Sequence, residues 1–192
     1  MNNLFCITDF ETTGTDPLKD YPIEIGCIFT NHKFEILDVY TELFKPEDIT
    51  LWFDVNTLNW KKEFIDAYNI HRITPAEIIN KGVTFKEGVS HLIQKINNVR
   101  NMINNSKIKP VIVSDCAYFE MAFMKKLFKL AEEENFPFHY CAYDTNLSLC
   151  IFSDVKNPKN AHRALNDASL LYMQLLRYID EERKFRGEKF LR

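Results

Sequence analysis

Asp9 and Glu11 stand one residue apart where the apolar run Leu4-Phe5-Cys6-Ile7 ends. That run reads as a buried strand. Side chains alternate along a strand, so both carboxylates point one way, with Cα atoms roughly 6.5–7 Å apart, and Phe10 points the other way. Two acids on one face repel each other and lose hydration. A divalent cation relieves both penalties, and a pair at this spacing can share two cations. Thr12, Thr13 and Gly14 break the strand and offer N–H groups and hydroxyls to an anionic or hydroxylated ligand. A lone D-x-E more often marks only the solvated end of a strand. Acids elsewhere in the chain have to decide the matter.

Glu120 is one of them. On the helix that starts near it, Glu120 shares a side with Met124, Leu127 and Ala131. An acid there is a partner for the helix dipole or part of a site beneath the helix. Asp115, at the end of the preceding strand, is a second candidate for that role and otherwise a helix N-cap. His162 and Asp167 form the other signal. On one helix, five residues would turn them about 140° apart. They converge only if His162 lies in the loop before the helix and Asp167 one turn inside it; Pro158 and Asn160 fit such a late start. Asp167 falls among Ala164, Ala168 and Leu171, an apolar neighbourhood for an acid. The simpler reading is a surface histidine and an ordinary helix pair.

The elements that must position these groups can be read in order. Ile23–Phe29 is a second strand, 31–33 a turn, and 34–44 a third strand stopped by Pro46; short connections make the three an antiparallel meander. Residues 46–68, with Trp52, Phe53, Trp60 and Phe64, read as a loop and short helix over one end of the sheet, either a hydrophobic plug or a substrate wall. Thr74-Pro75-Ala76-Glu77 reads as a helix start with a capping box. A longer helix from about Thr84 buries Phe85, Val89, Leu92, Ile93, Ile96 and Val99. Residues 110–114 form a central strand, 138–143 a further strand, Asp144-Thr145 caps a helix to about Phe152, and the last helix covers roughly 163–184. This α/β order implies a mixed sheet with helices packed on it, in one domain over 1–192.

The bulk numbers exclude several classes. The chain has 192 residues, and its formal net charge of −3 rules out general polyanion attraction. If it handles nucleic acid, local geometry and cation charge must do the attracting. No apolar run approaches the roughly 20 residues of a membrane span, and no signal peptide is evident. Cys6, Cys27, Cys116, Cys141 and Cys150 are scattered and read as reduced core residues of a cytoplasmic protein. The charge-alternating stretch 177–186 reads as a solvated helix end, with a protein-binding tail as the second reading.

Asp9-Phe10-Glu11-Thr12-Thr13-Gly14, then Phe119-Glu120, then His162 and Asp167 with four residues between them, resemble the three motifs of the DEDDh 3′–5′ exonucleases. Ile70-His71-Arg72-Ile73-Thr74 resembles the family's segment between the first two motifs, and Phe119–Met124 the start of its second-motif helix. The resemblance covers nearly the whole chain. It implies an RNase H-like five-stranded sheet, a meander of three strands plus two parallel ones, with helices on both faces. It implies two divalent cations, Mg²⁺ or Mn²⁺, held by Asp9, Glu11, Glu120 and Asp167, with Asp115 in reserve. His162 would be the general base, and Thr12, Thr13, Ile70, His71 and Phe119 would contact the terminal nucleotide. The implied reaction releases 5′-mononucleotides from the 3′ end of single-stranded nucleic acid, DNA slightly ahead of RNA. Glu120 departs from the pattern, because the family normally has Asp there. That leaves open whether Glu120 or Asp115 is the third acid, and it motivates the alternative of a weak or inactive nucleic-acid-binding or scaffold module.

Overall fold

The computed structural model describes residues 3–54, 56–145 and 162–185. Three strands, β1 (Phe5–Thr12), β2 (Pro22–Thr30) and β3 (Ile36–Leu43), pair antiparallel as the meander requires. Two more, β4 (Val111–Ser114) and β5 (Ala142–Asp144), run parallel to β1, giving the order β3-β2-β1-β4-β5. β2 is buried along its whole length, which is why it reads as a nearly continuous apolar run. The fifth strand is shorter than expected from 138–143. Phe138 is buried against Phe128 and Phe136 instead of pairing.

Helices cover both faces. On one side lie α1 (Ile65–His71), α2 (Pro75–Lys81), α3 (Phe85–Met102) and α4 (Ala117–Leu130), sharing a large core with Leu4, just before β1, and with Cys6 and Phe10 of β1. On the other, α5 (Ala164–Phe185) buries Leu171 and Leu175 against Ile7, Ile28 and Val113. Strand parity therefore sends even-numbered β1 side chains into the first core and odd-numbered ones, Asp9 and Glu11 among them, toward α5.

Several local expectations are revised. The capping box belongs to α3, where Thr84 and Glu87 satisfy each other. At α2, Thr74 caps the helix, but the Glu77 carboxylate turns to Lys81 and Arg163. Asp115 is not the cap of α4: Cys116 holds that position and Asp144 Oδ2 accepts from Ala117 N at 3.1 Å. Cys6 and Cys27 are buried as expected, whereas Cys116 and Cys141 are exposed. Cys150 and the helix expected to follow Thr145 lie outside the described residues. No described helix is long and apolar enough to cross a membrane.

Segment 46–68 forms the hydrophobic plug, and its later residues face a cavity. Trp52, Phe53, Trp60 and Phe64 are buried in one aromatic stack, while Glu63, Asp66, Ala67, Ile70 and His71 beyond it line a cavity.

Gly26 pairs with Asp9 and lies directly under the start of α5, where a Cβ would overlap Leu165 N and the Ala164 carbonyl. The backbone of α5 can approach the sheet only because that Cβ is missing. Gly26→Ala should therefore cost about 1–3 kcal/mol or more through overpacking, read as a lower urea midpoint with little change in slope.

Candidate active site

The acids gather at the carboxyl end of β1. The β1–β2 pairing shifts register between Glu11 and Thr12, so the strand leaves the sheet just past its second carboxylate. α5 begins beside it. His162 precedes the helix with φ 75°, an uncommon backbone for a non-glycine residue. This turn brings the His162 N–H back to donate to Asp167 Oδ2 at 2.6 Å. Ligand atoms of Glu11, His162 and Asp167 lie within 4.8 Å of one another. Asp9, Asp115, His162 and Asp167 line a single cavity of about 240 Å³, with Leu170, Leu171 and Gln174 behind them.

Glu120 sits under this cluster from the α4 side, 2% exposed, and its Oε2 has no hydrogen-bond partner among the described residues. Burial, then the charges of Asp9 and Asp115, push its pKa far up. Asp9 is raised likewise, by burial first and then by Glu11, Asp167 and Asp115. Glu11 is pushed up to about 8 by burial, Asp167 and Glu24, against the opposing pull of Arg163. Burial also raises Asp167, although the His162 N–H opposes it. A buried acceptor with no donor and several carboxyls that resist ionising together are what a divalent-cation site looks like without its cations' charge. The donor set is hard oxygen plus one imidazole, which suits Mg²⁺ or Mn²⁺.

A second cavity, about 390 Å³, adjoins the carboxylates. It is lined by Phe10 to Thr15, Ile70, His71 and Phe119, so all five side chains expected to touch a nucleotide face the same space. The threonine hydroxyls are engaged within their own loop: Thr12 donates to Gly14 O at 2.6 Å, and Thr13 accepts from Tyr21 N at 2.9 Å. His71 is buried. Its Nδ1 accepts from Ile73 N at 2.9 Å, so the neutral ring carries its proton on Nε2, which has no partner among the described residues. Burial, and then Arg163, lower its pKa to about 4 and keep it neutral.

Two residues escaped the sequence reading. Glu24, opposite Glu11 in the β1–β2 pairing, bonds Arg163 through both carboxylate oxygens. The available signal was an acid inside the apolar run Ile23-Glu24-Ile25, which has to be paired when buried.

No family model matches the chain, and no curated protein matches it. Solved structures do. The zinc-bound E. coli ExoI–ssDNA complex superposes with a TM-score of 0.65 at 16% identity, over 94% of this chain and 43% of that one. The nuclease domain of 3′hExo, a DEDDh family member bound to rAMP, gives 0.63 at 18% identity, over 93% of this chain and 92% of that one. A full-length 3′-exonuclease gives 0.65 at 17% identity, over 94% and 83%. The chain shares the fold of these solved structures, a mixed five-stranded sheet with helices on both faces. The chain spans less than half of the ExoI polypeptide but nearly all of the 3′hExo nuclease domain.

The raised carboxyls of this cluster carry a pH signature. An acid whose folded pKa exceeds its unfolded value stabilises the protein at low pH and loses that contribution as pH rises to the folded pKa. For Glu11 the window runs from 4.5 to about 8. With chelator present, Tm should fall as pH rises from 5 to 8. At pH 8, Mn²⁺ at a hundredfold excess over its Kd should then restore about 2.7 kcal/mol, roughly 5–10 °C, and the same Mn²⁺ concentration should restore less at pH 5, where protons compete for the carboxylates. Differential scanning fluorimetry checks both slopes.

Proposed function

We propose that the chain is a metal-dependent 3′–5′ exonuclease, one domain over 1–192, hydrolysing phosphodiester bonds at the 3′ end of single-stranded nucleic acid. The observation that carries this is the convergence of Glu11 from β1 with His162 and Asp167 from the start of α5, beside a cavity that also holds Asp9. The fold neighbours, among them an ExoI–ssDNA complex and a 3′-exonuclease that recognises a histone mRNA stem-loop, support the reaction class.

Asp9, Glu11 and Asp167 would hold two divalent cations, Mg²⁺ or Mn²⁺, with Glu120 completing the set and Asp115 in reserve. Bound there, the cations would neutralise charge on the phosphate and leaving oxygen and make water a stronger nucleophile. His162 takes a proton from the attacking water at its ring; its exposure leaves it reachable from solvent. Ile70, His71 and Phe119 pack on the terminal sugar and base. Such packing tolerates any base, and the product is a 5′-mononucleotide, with DNA slightly preferred over RNA. The free thiols of Cys6 and Cys27 suit a reducing cytoplasm.

The test uses a 3′-labelled single strand with Mg²⁺ or Mn²⁺. Wild type should release labelled 5′-mononucleotide. His162→Ala should slow kcat by about 10²–10⁴, and Asp9→Ala should abolish Mn²⁺ binding in calorimetry along with activity. Equal release by all three proteins overturns the proposal, and so does a wild type that binds Mn²⁺ but cleaves neither DNA nor RNA. A wild type that neither binds Mn²⁺ nor cleaves points to the scaffold alternative that Glu120 raised. Ile70 offers a separate check on the cavity. It is 56% exposed, so Ile70→Ala should leave Tm nearly unchanged. Its KM should rise about 3- to 10-fold, roughly 1 kcal/mol of lost apolar contact.

A further inference from the structure

Arg163 stands between His162 and the first residue of α5, and its guanidinium is held from two sides. Nε donates to both Glu24 oxygens at 3.1 Å, Nη2 to Glu24 Oε1 at 2.6 Å, and Nη1 reaches Glu77 Oε1 at 3.1 Å. Glu24 is 4% exposed and does a second job: its Oε2 accepts the Ala164 N–H at 2.9 Å. One buried carboxylate on β2 thus holds both the side chain and the backbone of the turn that carries His162 and Asp167. Gly26, two residues along the same strand and on the same face, lets that turn press against the sheet. Glu77 adds α2, the helix that follows the Ile70–His71 lining of the larger cavity.

We infer that Arg163 is a positioning residue: its fork on Glu24 and its contact with Glu77 set the start of α5, so that His162 and Asp167 meet Glu11. The kinetic part of this rests on the exonuclease reading; the positional part does not. A planar fork is required, because a lysine ammonium cannot span two carboxylates with the same four contacts. The competing explanation is charge alone, since Arg163 is the cation that offsets Glu11, Glu24 and Glu77. The two explanations predict opposite signs. Removing a nearby positive charge from an acidic site favours cation binding, whereas releasing the turn that holds two ligands weakens it.

Three readouts on Arg163→Lys and Arg163→Gln separate them. Calorimetry should show Mn²⁺ affinity reduced about 10- to 100-fold in both variants, the range expected when a group orienting metal ligands is lost. With a 3′-labelled single strand, kcat should fall by a similar factor while KM changes little, because the nucleotide cavity keeps its lining. Amide exchange at Ala164 and Asp167 should quicken at least tenfold in Arg163→Lys while β4 exchange stays as in wild type. Glu77→Gln, at the less buried end of the bridge, should quicken Ala164 exchange by a smaller factor; Arg163→Lys, which keeps the charge, decides the matter if Arg163→Gln fails to fold. Wild-type kcat, Mn²⁺ affinity and exchange in Arg163→Lys would overturn the inference, as would tighter Mn²⁺ binding by Arg163→Gln. Should the wild-type protein prove unable to cleave any strand, the exonuclease reading fails while the exchange measurement still decides the role of Arg163.

Discussion

Carboxylates do not gather in a poorly solvated cleft of their own accord. Asp9, Glu11, Glu120 and Asp167 each lose hydration there, and Asp9, Glu11 and Asp167 each raise the pKa of a neighbour. The fold forces them together anyway, because packing of the flanking apolar residues is worth more than the repulsion costs. Ile7, two residues before Asp9, is buried against Leu171 and Leu175 of α5, and Phe10 lies 6.5 Å from Phe123 of α4. Among the described residues, the Arg163 guanidinium opposes part of that repulsion at Glu11.

The topology explains why the cluster lies where it does. Asp9, Glu11 and Asp167 belong to the face covered by α5, whereas Glu120 belongs to a helix packed on the opposite face. Side chains from the two faces can meet only past the end of a strand. β1 and β4 are parallel neighbours, so their carboxyl ends open on the same edge, and Asp115 follows β4 there just as Glu11 closes β1. Crevices outside the carboxyl ends of parallel strands are where α/β sheets bind ligands. The antiparallel β2 runs the other way, so its early residue Glu24 also reaches this edge, and the Glu24–Arg163 bond forms beside the acids.

What was legible in the chain was what local periodicity encodes. Strand parity placed Asp9 and Glu11 on one face, and the angular argument placed His162 before the last helix and Asp167 inside it. The apolar stripe of α3 and the burial of Glu120 followed from helical spacing. Pairings distant in sequence were not legible. Glu24 and Arg163 are 139 residues apart, and no local rule joins them. The same gap explains Glu77: its spacing from Thr74 promises a capping box, but the Arg163 guanidinium, from the turn before α5, outcompetes a single backbone N–H. Phe138 was read as strand because aromatic residues favour strands, yet an aromatic pocket formed by Phe128 and Phe136 claims it.

Glu120 is the departure that bears most on how the site is built. Seated on the first turn of α4, it has to reach inward from the core of one face toward Asp9, which belongs to the other. A glutamate projects one methylene further than an aspartate, so the helix carrying it can sit further back and still bring a carboxyl to the strand end. Asp115 lines the cavity on the α5 side, while Glu120 closes the cluster from beneath. The two acids thus approach Asp9 from different directions. The unpartnered Oε2 of Glu120 marks the direction from which, among the described residues, no protein donor arrives. A buried carboxylate oxygen in that state is stable only as a neutral acid or beside a cation. Its raised pKa expresses the first condition and the surrounding hard-oxygen donors provide for the second, which makes Glu120 part of the charge balance of the site despite its departure from the usual residue.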